Sequence, residues 1–408
     1  MNKQIYSIGI RALTVGSKFL LILVLARLLP VDQVGLYGIV STTILIALQV
    51  LGLDFYAFNT RELLKVQDNE RVVYIRDQWL VHGLTYLAML PLFLFVFKFH
   101  VMPWSILLWF YTLLILEHNA QELDRLLITL SRPILANVVM FFRSGIWVLG
   151  FLIYAHFREV QLTTVWIFWV MGDLLALGIG AFGLKHLPWL NAVRISINWS
   201  WIKHGIRVAF IFLLGTVSVQ LLFYMNRYFI QFILGMKSVG IFVFFGSMLG
   251  VIFTFAQVGI FNFIVPNMIE QYHKDKSTLV HSIRKMYKMI LLYLVVTGIG
   301  ASVCIYIVLW LVHQPEYANY MTVFYLLLIG VMITVLGQVP HYGLYISYHE
   351  KRILKISFIT LLLSIVINFV FIKFYGLSGA ALANIMTMLL LGGLKQWFFY
   401  KEYSKLWK

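Results

Sequence analysis

The sequence predicts an all-α protein that crosses a membrane many times, and three observations lead to that fold class. Hydrophobic residues make up 61% of the 408 residues and charged residues only 12%, whereas an ordinary globular chain is about 45–50% apolar and about 25% charged. Apolar runs of about 20 residues recur along the whole chain, which is the length a helix needs to cross a bilayer. The runs lack the apolar–polar alternation of barrel strands and are therefore predicted to be helices.

Twelve apolar segments are the predicted spans, six in each half of the chain. The predicted central cavity is polar and lies between two six-helix bundles, 1–190 and 205–408, joined by a basic interfacial linker over 191–204. In chain order the spans are 8–29, 34–58, 79–99, 103–121, 133–155, 163–184, 205–234, 238–265, 288–312, 319–347, 353–373 and 376–399.

The basic residues orient these spans. They cluster in every second loop, for example at Arg71, Arg132, Lys203 and Lys274, whereas the opposite loops carry few. This distribution is the positive-inside pattern and predicts that both termini are cytoplasmic. It also accounts for the net charge of +16 without a nucleic-acid partner.

The two halves share short motifs. "HGIRVAF" in the second half is similar to "IGIRALT" in the first, and "SVGIFVFF" is similar to "QVGLYGIV". Each half holds an even number of predicted spans, so both halves have the same orientation in the membrane. The sequence therefore predicts a parallel repeat, with the halves related by a pseudo-two-fold axis along the membrane normal.

Several stretches carry a resemblance to a known family. "LARLLPVDQVGLYGIV" followed by "LGLDFYAFNTREL", then "NRYFIQFILGMKSVGIF" and "YGLSGAALAN", resemble Wzx-type polysaccharide-repeat flippases of the multidrug/oligosaccharidyl-lipid/polysaccharide flippase superfamily. Asn226 stands where that family usually has aspartate. The resemblance implies twelve to fourteen helices in two bundles, alternating access, and an undecaprenyl-pyrophosphate-linked oligosaccharide as substrate. It also implies a bacterial inner-membrane location, beside a glycan polymerase and a chain-length regulator.

Charges near the middle of predicted spans mark candidate binding residues. A charge at the bilayer centre costs roughly 3 kcal/mol, so Lys18 and Arg143 are expected to face protein or water. Arg11 lies seven residues before Lys18 and shares its helix face. Ion pairs with Glu117 or Asp173 are the structural alternative. In the sequence, deep cations outnumber the deep anions, which predicts an anionic ligand such as a pyrophosphate.

The remaining candidates are polar residues that suit sugar hydroxyls or a lipid-linked phosphate. Interhelical hydrogen bonds, each worth about 1 kcal/mol, are the alternative for any one of them. The predicted substrate-binding set is Arg11, Lys18, Arg143, Arg207, Arg227, Gln49, Tyr56 and Asn137. The predicted ion-coupling set is Asp54, Glu117 and Asp173.

No motif of a catalytic or metal site is found in the sequence. His82, His118 and His341 lie on different predicted spans without HxxxH spacing, and there is no Walker loop, GxSxG or zinc pattern. We therefore expect neither enzymatic activity nor a metal or cofactor.

Three functions are compatible with these observations. The first is a flippase for an undecaprenyl-pyrophosphate-linked O-antigen or capsule repeat unit. The second is a multidrug or cation antiporter of the same superfamily, against which the buried cations weigh. The third is a membrane glycan polymerase or ligase, against which the short outside loops weigh.

Overall fold

The computed structural model describes residues 2–407, apart from the side chains of 2–8, 11, 12, 68, 69, 191 and 404–407. Helices account for nearly all of these residues, and no strand occurs among them. The all-α class predicted from the sequence is confirmed. In the first half the helices are α1 Asn2–Leu28, α2 Val31–Gly52, α3 Phe55–Leu63, α4 Asp68–Lys98, α5 Leu107–Thr129, α6 Pro133–Phe141, α7 Trp147–Phe157, α8 Leu162–Gly183 and α9 Trp189–Arg194.

The second half contains the three longest helices. Its helices are α10 Trp199–Leu234, α11 Met236–Ala256, α12 Asn262–Lys274, α13 Thr278–Val312, α14 Pro315–Ala318, α15 Met321–Ile346 and α16 Glu350–Trp407. Two π-helical turns join neighbouring helices end to end. Phe142–Ile146 connects α6 to α7, and Gln257–Phe261 connects α11 to α12.

Among the described residues, nine helical segments are long and apolar enough to cross a membrane. The chain is therefore a multi-pass membrane protein. Helices α1 and α5 are not among the nine, and the spans predicted over 353–373 and 376–399 both fall in α16. The backbone of α16 is broken at Gly376, where φ is 59°, a value that glycine adopts without steric cost. The number of spans stays a prediction.

The predicted span 34–58 is wrong at its end. Helix α2 stops at Gly52, and Leu53 and Asp54 both have a φ of 50° before α3 begins at Phe55. Such left-handed backbone is uncommon for residues other than glycine. Hydropathy does not detect this break, because apolar residues continue on both sides of it.

One compact unit contains the residues up to Val24 together with Leu36–Val217. Helix α5 is at its centre and packs closely against α6 and α8. A methyl group added to Gly183 would lie 2.5 Å from Leu135, and one added to Gly180 would lie 2.9 Å from Leu123. Glycines on α8 therefore permit the close helix approach that is common in membrane bundles.

A second compact unit contains Leu25–Gly35 and the residues from Ser218 onward. Within it, the first turns of α2 and α11 are in backbone contact. A Cβ on Gly35 would lie 2.2 Å from the carbonyl oxygen of Met236, and one on Gly240 would lie 1.9 Å from that of Val31. Gly35 and Gly240 occupy equivalent positions in the similar motifs "QVGLYG" and "SVGIFV".

Candidate functional site

Four charged residues from four segments of the first unit converge, and we call them the charge cluster: Lys18, Glu117, Arg143 and Asp173. Arg143 Nη1 lies 3.6 Å from Glu117 Oε2. Lys18 is near enough to Glu117, Arg143 and Asp173 to interact with each electrostatically. The fold therefore brings together the two central cations named from the sequence and both carboxylates named as their alternative partners.

The π-helical turn between α6 and α7 positions Arg143. Such turns are rare and occur frequently at functional sites. Gly172 of α8 lies against this turn, because a Cβ there would be 2.9 Å from the carbonyl oxygen of Phe142. Gly145 lies against α1, because its Cβ would be 3.4 Å from the Cα of Thr14. These two close approaches bring α1 and α8 to the turn that carries Arg143.

Tryptophan side chains orient the ion pair. Trp147 and Trp169 stack with ring centroids 5.8 Å apart and planes 5° from parallel. Trp169 Nε1 donates a hydrogen bond of 2.8 Å to Glu117 Oε1, and Trp147 Nε1 donates one of 2.9 Å to the Arg143 carbonyl oxygen. Two indoles thus fix the Glu117 carboxylate and the backbone of Arg143.

The charge cluster retains hydrogen-bonding capacity that the described residues do not fill. Asp173 is fully buried, and neither of its carboxylate oxygens has a hydrogen-bond partner among them. The Nε and Nη1 atoms of Arg143 also lack one. A buried polar group left unpaired costs about 1–3 kcal/mol, and more when it is charged. The arrangement therefore favours a further occupant that pairs with these atoms.

Replacement of Gly172 by alanine is expected to destabilise the protein. The new methyl group would lie 2.6 Å from Trp147 and 2.9 Å from the Phe142 backbone, and overpacking of this kind costs about 1–3 kcal/mol. The thermal unfolding midpoint of the purified chain, followed by tryptophan fluorescence, should fall by several degrees. Gly178→Ala on the same helix is the matched control, because its methyl group would meet open space. Equal midpoints for the two variants would contradict the packing described for Gly172.

Two predicted sugar-binding residues instead surround Arg125. The Arg125 guanidinium lies 3.7 Å from the ring centroid of Tyr56 and donates to Gln49 Oε1 at 3.4 Å. It also donates to Glu122 Oε1 at 2.7 Å. Asp54, at the left-handed turn, accepts a hydrogen bond from Thr216 and lies within electrostatic range of Arg125. Gln49, Tyr56 and Asp54 therefore belong to a second polar region centred on an arginine that the sequence analysis had assigned to a loop.

His82, His118 and Glu122 form what we call the histidine cluster. All three are buried, and one ligating atom from each lies within 4.8 Å of the other two. The His82 and His118 rings are 4.9 Å apart, although the sequence analysis treated them as scattered. A pattern on α5 could have revealed part of the cluster. His118, Glu122 and Arg125 have i, i+4, i+7 spacing and so share one helix face.

Around the two clusters, the described charges differ from the surplus of deep cations expected for the whole sequence. Among the side chains described there, four carboxylates accompany three cations. The carboxylates are Asp54, Glu117, Glu122 and Asp173, and the cations are Lys18, Arg125 and Arg143. Glu122 was not among the predicted residues, because the predicted span ended at residue 121, whereas α5 continues to Thr129.

The structure also describes three further residues of the predicted substrate-binding set. Arg207 is exposed on α10, and Asn137 is buried on α6. Arg227 is half-buried, with its guanidinium carbon 5.0 Å from the ring centroid of Tyr224. The side chain of Arg11 is outside the described residues.

Comparison with known proteins identifies the fold. No protein-family model matches the chain, and no curated protein matches it. The chain is similar to a solved structure described as the inward-facing conformation of a multidrug resistance MATE family transporter of the MOP superfamily. The TM-score is 0.75 at 13% sequence identity, over 98% of each chain. The chain therefore shares the fold of that transporter over nearly its whole length.

Proposed function

We propose that the protein is a flippase that moves an undecaprenyl-pyrophosphate-linked oligosaccharide, an O-antigen or capsule repeat unit, across the bacterial inner membrane by alternating access. The transporter fold supports a transport function. The Wzx-type motifs, "LARLLPVDQVGLYGIV" and "LGLDFYAFNTREL" among them, support this substrate class. Neither the charge cluster nor the histidine cluster shows a nucleophile paired with a base, so we propose transport without catalysis.

The position of Lys18 is the observation on which the substrate class depends. Lys18 lies in the middle of α1, and its side chain is exposed to solvent although protein atoms surround it on many sides. An ammonium group at mid-membrane depth is not stable against lipid tails. We propose that Lys18 lines a cavity open to water. There it would be available to an anionic headgroup partway across the membrane.

Arg143 supplies the second contact to the proposed headgroup. Its Nε and Nη1 atoms lack hydrogen-bond partners among the described residues, and its separation of 3.6 Å from Glu117 is longer than a hydrogen bond. A pyrophosphate oxygen would form shorter charge-assisted bonds with both donors. The phosphate would then compete with Glu117 for Arg143.

This competition suggests how transport is coupled to an ion gradient. When substrate takes Arg143, Glu117 and Asp173 lose part of their counter-charge. We propose that Glu117 and Asp173 are the ion-coupling residues, because their counter-charge changes as the substrate binds and leaves.

A multidrug or cation antiporter is the second candidate function. Two specific observations favour it. Carboxylates outnumber cations around the two clusters, and both oxygens of the buried Asp173 lack partners among the described residues. A cationic substrate would pair with them directly. The structural neighbour is also described as a multidrug resistance transporter.

The proposed function includes an orientation and a set of partners. Both termini would be cytoplasmic, as the loop charges predict. Alternating access would expose the substrate in turn to the two sides of the membrane. A glycan polymerase and a chain-length regulator would receive the translocated unit on the outer side.

Deletion of the gene in its native host distinguishes the two candidates. Under the proposed function, surface glycan display is lost, lipid-linked repeat units accumulate, and expression of the chain from a plasmid restores display. The sensitivity of the strain to cationic dyes should not change. Normal display together with increased dye sensitivity would reject the flippase and favour the cation antiporter.

A further inference from the structure

The histidine cluster has the residue types and burial of a transition-metal site. His82, His118 and Glu122 are 1%, 0% and 2% exposed. Both ring nitrogens of His82 and the Nε2 atom of His118 lack hydrogen-bond partners among the described residues. Most buried side-chain nitrogens are paired, so an unpaired one requires an explanation. Two imidazoles and a carboxylate that face one another are a common ligand set for Zn²⁺.

The distances permit coordination after small side-chain movements. Tetrahedral Zn²⁺ with bonds of about 2.0–2.1 Å holds its ligand atoms about 3.4 Å apart. The three ligating atoms already lie within 4.8 Å of one another, and His82 Nε2 is 3.8 Å from Glu122 Oε2. Each ligand would therefore move by less than about 1 Å toward a shared ion.

Neighbouring residues orient two of the three ligands. The Nδ1 atom of His118 lies 2.6 Å from the Tyr86 hydroxyl, which also accepts a hydrogen bond from Asn119. With Nδ1–H donating to Tyr86, the lone pair of His118 Nε2 is directed into the cluster. Gln78 Nε2 donates to Glu122 Oε2 at 2.7 Å. Hydrogen bonds of this kind hold metal ligands in position.

The local charge also favours a cation. Arg125 donates to Glu122 Oε1, the oxygen farther from His82, and thereby leaves Oε2 facing the imidazoles. Asp54 lies within electrostatic range of both Glu122 and Arg125. If both histidines are neutral, the two carboxylates of Asp54 and Glu122 and the Arg125 guanidinium together carry a net charge of −1. A divalent ion would change that net charge to +1, with the second carboxylate offsetting the repulsion from Arg125.

We propose that His82, His118 and Glu122 bind one Zn²⁺-like transition-metal ion between α4 and α5, with water as the fourth ligand. The proposal does not depend on the identity of the transported substrate. The ion would join two helices of the first unit and stabilise them against each other. No metal was expected from the sequence, because the ligands come from separate helices without a recognisable spacing.

The test is a titration of the tag-free, full-length chain in lipid nanodiscs with Co²⁺, followed by visible absorption, and then with Zn²⁺ in competition. We expect one Co²⁺ to bind per chain and to show the intense visible absorption bands of a four-coordinate Co²⁺ ion. One equivalent of Zn²⁺ should displace it. His82→Asn and His118→Asn should each lower the affinity at least about 100-fold. Tyr86→Phe, which keeps the ligands but removes an orienting hydroxyl, should lower it about 10–100-fold.

His341→Asn is the matched control, because His341 is a membrane histidine on α15 with an unpartnered ring nitrogen and a lysine as its electrostatic neighbour. Its metal binding should equal that of the unaltered chain. Absence of saturable one-equivalent binding by the unaltered chain would overturn the proposal, whatever the variants do. Binding that persists in a His82→Asn, His118→Asn double variant would overturn it as well.

Discussion

Replacing Arg143 by alanine is expected to abolish surface glycan display, and adding Glu117→Gln to that variant is not expected to restore it. Arg143 is the one residue of the charge cluster that has both a carboxylate neighbour at 3.6 Å and side-chain nitrogens without hydrogen-bond partners among the described residues. If it binds the pyrophosphate, its loss removes charge-assisted hydrogen bonds, each worth about 1.5–3 kcal/mol. Arg143→Lys should also fail, because a point charge does not replace a bidentate donor.

A purely structural ion pair predicts a different result. Removing one member of a buried pair leaves the other charge uncompensated and costs about 3–5 kcal/mol. Neutralising Glu117 as well would then recover most of the stability and the display. Glycan display normalised to the amount of protein in the membrane separates the two cases. Arg27→Ala is the control, because Arg27 is exposed near the end of α1 and should tolerate the change.

Replacing Gly240 by alanine is expected to cause a large loss of folded protein, and Gly35→Ala should do the same. The added methyl groups would lie 1.9 Å and 2.2 Å from backbone carbonyl oxygens. A backbone atom cannot rotate away as a side chain does, so α2 and α11 would have to separate. Overpacking in a core costs about 1–3 kcal/mol, and we expect a value at or above the upper end here.

The matched controls are Gly246→Ala and Gly250→Ala on the same helix. Their spacing in the sequence is that of a GxxxG packing motif, yet an added methyl group at either position meets no described atom within 4 Å. The amount of monodisperse protein after detergent extraction should fall sharply for Gly35→Ala and Gly240→Ala and stay unchanged for the two controls. Equal yields for all four variants would contradict the backbone contact between α2 and α11.

The sequence was sufficient to predict the fold class and the members of the charge cluster. A long apolar run specifies a membrane helix by itself, and a charge in the middle of such a run is costly wherever the helix lies. Lys18, Glu117, Arg143 and Asp173 could therefore be named one at a time, without knowing which helices are neighbours. They converge in the structure because a charge in the middle of a membrane helix is costly unless another charge or a ligand lies beside it.

The histidine cluster was not predictable in this way. A histidine need not carry a charge, so neither His82 nor His118 had to lie beside a charged partner, and their proximity depends on the packing of α4 against α5. Helix ends were also misplaced where apolar residues continue past a backbone break, as at Asp54, or where polar residues continue a helix, as at Glu122. Both errors arise because hydropathy measures the preference for lipid and not the backbone conformation.

Reconstitution tests the central claim of a lipid-linked pyrophosphate substrate most directly. The purified chain would be placed in liposomes containing undecaprenyl-pyrophosphate-linked oligosaccharide on the inner leaflet only, and outer-leaflet exposure would be followed with a membrane-impermeant lectin under an imposed proton gradient. We expect the unaltered chain to expose the glycan, and the Lys18→Ala, Arg143→Ala variant to behave like protein-free liposomes. Parallel liposomes loaded with a cationic dye should show no transport. Dye transport without glycan exposure would contradict the proposed function.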